Sequence, residues 1–271
     1  GGPQSAVNEG VRQAASDIIG FCDSDDYVAR DYYETLYEAM MCSGTDLACC
    51  GLRIVYDGTI SDYESDRSLS VFNKEAVQRE FWENSGRCLI GNNRYNKLFR
   101  KDFLLQVLPE TMSDLCFGED AVLTHLYLEK CRDVCILEQY NGYFYRQVPT
   151  SLINSFREKQ IDDNIAYVKA MEWIGEIYSH QFLTRDRFND GLMANLLYRC
   201  MDSGLPVVKK CGYAKRILEE FSDKRHFIEY NLKKLHPILR MGFQLMQWGC
   251  VWLGVLWCTL YIKLIRFLQK K

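Results

Sequence analysis

From Met241 to Ile262 the sequence MGFQLMQWGCVWLGVLWCTLYI runs for 22 residues without a charged side chain. Such a run cannot stay in water, so it must be buried in protein or placed in a bilayer. As one helix it would be roughly 33 Å long, enough to cross a hydrocarbon core of about 30 Å. Trp248, Trp252, Trp257 and Tyr261 suit a membrane interface. Basic residues flank the run on both sides: Lys233, Lys234 and Arg240 before it, and Lys263, Arg266, Lys270 and Lys271 after. Two basic flanks give no orientation for a simple span, and an in-plane anchor on an anionic leaflet fits them equally well. The plain alternative is a buried helix of the fold or of a dimer.

The charge is distributed to match. Between Lys224 and Lys271 there are nine Lys/Arg against one acid, Glu229, a balance of +8. The whole chain carries −3, which leaves −11 on residues 1–223. That asymmetry separates the tail from the body, and an apolar run threaded through the basic residues argues against nucleic acid as its partner. The twelve Cys contain no CxxC pair and do not cluster with the four His, so zinc is a poor fit. Reduced thiols of a cytosolic protein are expected.

Ahead of the tail, helical and strand-like patterns alternate. SAVNEGVRQAAS predicts a helix over Asn8 to Ala15, followed by a strand over Asp17–Cys22. Asp31 and Glu34 have the spacing of a capping box for a helix ending near Cys42, with Gly44 as its stop. DLACCGLRIVYDG reads as one strand with a turn at Asp57-Gly58, and NKEAVQREFWENSG as a helix stopped by Gly86. FGEDAVLTHLYLEKC predicts a helix with Glu119 and Asp120 in its first turn. DVCILEQYNGYFYRQV predicts two strands around Asn141-Gly142. This alternation indicates α/β layers, and from about Ser155 to Leu235 the period is helical.

The strand over Asp17–Cys22 runs into Asp23, Asp25 and Asp26. Carboxylates this close ionise together only if a cation offsets them. Hard oxygen ligands at the end of a strand suit Mg²⁺ or Mn²⁺, which share their remaining positions with phosphates. A solvated acidic turn that caps the next helix is the alternative on spacing alone.

The segment GGPQSAVNEGVRQAASDIIGFCDSDDYV resembles the family 2 glycosyltransferases, in which Ser-Ala-x-Asn-x-Gly, a helix and an apolar strand precede Asp-x-Asp-Asp. NKLFRKDFL, GEDAVLTHLYLEKC and GYFYRQVPTS resemble later family segments in the same order, so the likeness covers Gly1–Ser151. It implies an α/β GT-A (Rossmann-like) sheet with a C-terminal helical region and a hydrophobic tail helix. The implied division is 1–151 for the GT-A part, 152–240 for a helical extension and 241–271 for a membrane-associating tail.

By the resemblance, Asp23 and Asp25 hold Mn²⁺ or Mg²⁺ on the diphosphate of a nucleotide sugar, and Asp26 supports the metal or contacts the sugar. Asp120 becomes the general base for the acceptor hydroxyl, with Glu119 beside it. Asn8, Lys97 and Arg146 become contacts to donor, phosphate or acceptor. An acid in a first helical turn also sits well with the helix dipole, which keeps a base ionised. The implied partners are a nucleotide-sugar donor, a glycan or lipid-linked sugar acceptor and the cytoplasmic face of the cell membrane, and the implied role is in cell-surface polysaccharide synthesis. No Gln-x-x-Arg-Trp sequence occurs, which favours addition of single sugars.

Two departures stand out. Val7 occupies a position where the family often has Arg, and the strand-loop-helix unit that holds the nucleoside is expected upstream of Gly1. The sheet is therefore expected to be incomplete, and an inactive GT-A-like membrane-bound module is the alternative expectation. An Asp-x-Asp phosphatase fits less well, because Tyr27 stands where that class wants Thr or Val.

Overall fold

The computed structural model describes residues 3–56, 59–62, 70–83, 90–91, 93–112, 115–137, 139–147, 156–177, 185–221 and 236–269. The chain divides into two compact units. One comprises Gly1–Pro149 with Lys169–Leu183, the other Thr150–Val168 with Thr184–Lys271.

In the first unit, helix α1 (Pro3–Gln13) leads to strand β1 (Ile18–Gly20), the acidic loop and strand β2 (Tyr27–Val28). Helix α2 (Tyr32–Ser43) repeats apolar residues every four positions, and Tyr32, Leu36 and Met40 are fully buried. They pack on Ala48, Cys50, Leu52, Leu98 and Tyr143. Gly44 ends α2 at φ +68°, a left-handed value that glycine takes without a steric penalty. The expected capping box does not form. Asp31 precedes the helix at φ −94°, ψ 4° and makes no cap, because its carboxylate accepts a 2.7 Å hydrogen bond from the Tyr140 hydroxyl instead.

The single strand expected from DLACCGLRIVYDG is two. β3 (Leu47–Cys50) pairs with β7 (Lys97–Arg100) and with β8 (Asp133–Leu137) in a five-stranded sheet of order β1-β7-β3-β8-β6, where β6 is Ser70–Asn73. After Gly51 the chain enters β4 (Leu52–Tyr56). This strand joins a four-stranded sheet of order β2-β9-β4-β5, with β5 at Thr59–Asp62 and β9 at Tyr143–Gln147. The partner segment makes the same change. β3 runs parallel to β8 from Leu47 opposite Val134, and β4 then runs parallel to β9 from Leu52 opposite Tyr143. Both segments therefore pass together from one sheet to the other, and Asn141-Gly142 lies at that passage. Asp57, Gly58, Gly86 and Ser151 lie outside the described residues.

Helix α3 (Lys74–Glu83) follows β6, and helix α4 (Lys101–Val107) follows β7. Helix α5 (Glu119–Lys130) is buried at every position from Ala121 to Leu128, which marks it as a core helix. Its two ends reach the surface, and at the first Gly118, at φ +75°, turns the chain into Glu119 and Asp120. Helix α6 (Lys159–Ile177) comes after β9.

The second unit contains helices α7 (Arg185–Asp202), α8 (Val207–Phe221), α9 (Pro237–Gln247) and α10 (Val251–Gln269). The apolar run Met241–Ile262 is thus not one helix. It breaks at Trp248–Cys250, where Gly249 takes φ +87°, and α9 and α10 fold together as a hairpin. Small residues permit the close approach. A Cβ on Gly254 would lie 2.5 Å from Met246 Cγ, and one on Gly242 would lie 3.2 Å from the Gly254 carbonyl oxygen. Trp257 Nε1 donates to the Ile238 carbonyl at 2.9 Å across the hairpin. Along α10, Val255, Cys258 and Ile262 are buried, while Trp252, Leu253, Trp257, Leu260, Leu264 and Phe267 are exposed. Val251–Leu268 is the one stretch, among the described residues, long and apolar enough to cross a membrane by length and composition. All eleven Cys among the described residues are free thiols.

Candidate active site

The acidic loop is a folded turn rather than a solvated bend. Asp26 N donates to the Asp23 carbonyl at 3.0 Å, which curls the chain between them. Beneath the turn lies Tyr143, the first residue of β9, with a fully buried ring. Its hydroxyl donates to Asp26 Oδ2 at 2.7 Å and accepts from Asp23 N at 3.2 Å. The Arg146 backbone N–H donates to Asp26 Oδ1 at 2.8 Å, and its guanidinium donates to the Asp25 carbonyl. The β-strand supplies the fixed wall on which the loop rests.

The three carboxylates end in different states. Burial raises the pKa of Asp23 above the ordinary value. Arg94 opposes that shift, and the charge on Asp25 adds to it. Burial also raises Asp26, against the hydrogen bonds from Arg146 N–H and the Tyr143 hydroxyl. Asp25 is exposed, and its carboxylate has no hydrogen-bond partner among the described residues.

Besides the Arg146 guanidinium on the Asp25 carbonyl, a second cation among these acids is Arg94, which sequence reasoning missed. One guanidinium nitrogen lies 3.7 Å from Asp23, and the other lies 3.7 Å from Glu119 and pairs with Asp120. The acidic loop and the tip of α5 thereby share one charge. Arg94 is held by its neighbours. The Asn93 carbonyl accepts from Thr124 Oγ1 of α5 at 3.0 Å, and Tyr95 makes a β-bridge with Phe21. The Tyr95 ring also stacks on Tyr143 at 4.9 Å.

The structure therefore brings Asp23, Asp25 and Asp26 into one loop, sets Arg146 of β9 against it, and joins Glu119 and Asp120 to it through Arg94. It does not bring Lys97 or Asn8 there. Lys97 is fully buried, and its ammonium donates to Asn93 Oδ1 at 2.6 Å, Asn96 Oδ1 at 2.9 Å and the Tyr95 carbonyl at 3.3 Å. It organises the segment that carries Arg94. Asn8 accepts from Gln4 at 2.7 Å and donates to Thr111 Oγ1 at 2.8 Å. Besides Arg94, Tyr143 went unnoticed. The available signal was the surplus of carboxylates, which called for nearby donors but could not say which.

Among the described residues no group of three or more His, Cys, Asp or Glu is arranged to hold a metal ion. Mg²⁺ and Mn²⁺ bound with phosphates need only one or two protein carboxylates. The unpartnered, exposed carboxylate of Asp25 beside Asp23 fits that smaller demand.

Residues 1–104 match the model for the family described as "Glycosyl transferase family 2". The similarity to that family covers 104 of the 271 residues. A curated relative, the "Uncharacterized glycosyltransferase EpsJ" of Bacillus subtilis (strain 168), is 26% identical over 171 residues, covering 61% of this chain and 48% of that protein. The chain thus spans about half the length of the curated relative it matches. The crystal structure of S. aureus TarS residues 1–349 with UDP-GlcNAc aligns at a TM-score of 0.57 and 14% identity, over 97% of this chain and 72% of that one. A second S. aureus TarS crystal structure aligns at 0.53 and 15%, over 94% of this chain and 42% of that one. At these identities the likeness establishes the fold, an α/β GT-A glycosyltransferase architecture with a helical C-terminal region and one apolar helix in it.

Proposed function

We propose that the protein transfers a sugar from a nucleoside-diphosphate sugar to an acceptor hydroxyl with inversion, and that this chain supplies the metal ligands and the base. The observation that carries the proposal is Arg94. It joins Asp23 to Glu119 and Asp120, two acidic motifs far apart in sequence, within one partly buried ion-pair cluster.

Asp23 and Asp25 would hold the divalent cation, Mn²⁺ or Mg²⁺, which when bound supplies Lewis-acid neutralisation of the leaving diphosphate. Asp26, fixed by Tyr143 and Arg146, keeps the turn in the shape that presents those two carboxylates. Asp120 accepts the proton of the acceptor hydroxyl as its oxygen bonds the anomeric carbon. The bond from that carbon to the diphosphate breaks in the same displacement, which inverts the centre. Glu119, on the same guanidinium, shares in orienting Asp120.

UDP-GlcNAc is the first donor to assay, because TarS was crystallised with it. The full-length protein should release UDP from UDP-GlcNAc or another UDP-sugar in the presence of Mn²⁺. Asp120→Asn should lower the rate by about 10²-fold or more, the size of a general-base contribution, and Asp25→Asn should lower it by weakening Mn²⁺ binding. Retention of wild-type rates by both variants would show that these residues are not the site.

The acceptor side is read from the tail. Trp252, Leu253, Trp257, Leu260, Leu264 and Phe267 make an outward apolar face on α10, with Lys263 and Arg266 on the same helix. Such a face beside cations suits the cytoplasmic surface of a membrane, where a lipid-linked sugar acceptor for polysaccharide assembly would be met. Replacing Leu253, Leu260 and Leu264 with Gln should abolish co-flotation with anionic vesicles. Unchanged flotation would sink the membrane reading.

A further inference from the structure

We infer that Arg94 is a positioning residue that couples cation binding at Asp23 to the placement of Asp120. The inference rests on the glycosyltransferase reading of the site. One guanidinium serves three carboxylates from two walls: Asp23 from the loop after β1, and Glu119 and Asp120 from the tip of α5. The Arg94 side chain is only 12% exposed, so water screens these contacts weakly. A divalent cation on Asp23 competes with Arg94 for the same carboxylate. Its arrival weakens the Asp23 contact and leaves the guanidinium to Glu119 and Asp120.

The backbone of Arg94 suits that exchange because it is fixed while the side chain chooses. Thr124 holds Asn93 to α5, the Phe21–Tyr95 bridge holds the other side, and Lys97 binds Asn93 and Asn96 from beneath. Asn96, at φ +52°, donates its side-chain amide to the Cys50 carbonyl and pins the end of the segment. A guanidinium carries two separate donor edges and can bridge the walls, whereas a lysine ammonium is a point charge.

The test is a Mn²⁺ titration of the full chain, with free Mn²⁺ read by electron paramagnetic resonance, for wild type, Arg94→Lys and Arg94→Met. Removing the competing charge should tighten Mn²⁺ binding by about tenfold in Arg94→Met, and Arg94→Lys should stay within about threefold of wild type. In the transfer assay Arg94→Met should lower kcat about a hundredfold with donor KM nearly unchanged, as expected for a misplaced base.

Uncompensated acids could unfold Arg94→Met. A cycle with Asp120→Asn removes one of them: the double variant should bind Mn²⁺ more tightly than Asp120→Asn alone. Equal or weaker Mn²⁺ binding on loss of Arg94 in both backgrounds, or an effect on KM alone, overturns the inference, as does failure of every form to bind Mn²⁺. If Mn²⁺ binding tightens while wild type transfers no sugar, the coupling stands and the transferase reading fails.

Discussion

Tyr143→Phe removes one oxygen from beneath the acidic loop and leaves the ring in place. The ring is wholly buried and stacks on Tyr95, so the substitution creates almost no cavity. Two bonds go with the hydroxyl: the 2.7 Å donation to Asp26 and the 3.2 Å acceptance from Asp23 N. A hydrogen bond to a charged group contributes about 1.5–3 kcal/mol, and a buried donor left unpaired costs about 1–3 kcal/mol. Asp26 is half-buried and keeps its bond from Arg146 N–H, so water recovers part of the loss. The expected cost is about 2–3 kcal/mol. For a unit of this size that is a drop of about 4–12 °C in Tm, since each kcal/mol moves it by about 2–4 °C. The assay is thermal unfolding of wild type and Tyr143→Phe side by side, followed by near-ultraviolet circular dichroism. A second readout is Mn²⁺ affinity, which should weaken because the turn presenting Asp23 and Asp25 loosens. A Tm change below about 1 °C with unchanged Mn²⁺ affinity would refute the claim that this hydroxyl shapes the loop.

In the tail, Gly254→Ala should destabilise the α9–α10 hairpin by about 1–3 kcal/mol, the usual cost of overpacking, because its methyl meets Met246 and the Gly242 carbonyl. Chemical denaturation of the full chain checks this, and wild-type stability would show that the helices separate freely. Asp23 and Asp26 have pKa values raised in the fold by burial, so they retain protons that the unfolded chain releases. Their contribution to stability is present below the ordinary carboxylate pKa and is lost as pH rises through the raised values. Metal-free wild type should therefore lose more stability than Asp26→Asn as pH rises above the ordinary carboxylate pKa of about 4, measured by Tm against pH. Chelation by EDTA should leave the protein folded, with Mn²⁺ raising Tm only by mass action; unfolding on chelation would contradict the role given to Arg94.

The parts legible in the sequence were those set by local pattern. The four-residue repeat of Tyr32, Leu36 and Met40 and the stop at Gly44 define α2 almost to the residue. The apolar run before Asp23 gave β1, and Glu119-Asp120 did open a helix. Elsewhere tertiary partners decided. Asp31 had the spacing of a cap, but Tyr140, far along the chain, took its carboxylate. DLACCGLRIVY is continuously strand-like, yet nothing local says that Gly51 moves it between sheets, because that change is made jointly with the segment around Asn141-Gly142. The uncharged run of the tail set a length for one helix, while the break at Gly249 and the small faces of Gly242 and Gly254 made it a hairpin. Lys97 and Arg94 are the sharpest case. Three residues apart in one aromatic-basic stretch, one is sealed in the core and the other faces the acids.

That difference bears on the three carboxylates of the loop. Sequence reasoning required a positive charge among them and assigned it to a metal ion. The structure places Arg94 on Asp23, and places neutral donors, the Tyr143 hydroxyl and the Arg146 N–H, on Asp26. Two of the three acids thus have partners within the protein, though burial still raises the pKa of both, and the third, Asp25, is left to solvent. A loop that depended on metal for its shape would present all its carboxylates inward and collapse without the ion. This one is built on protein contacts and keeps the Asp25 carboxylate free beside Asp23, which faces Arg94. On the reading proposed above, a reversible divalent site would use that arrangement, with a loop shaped by protein contacts and Arg94 relating Asp23 to Asp120.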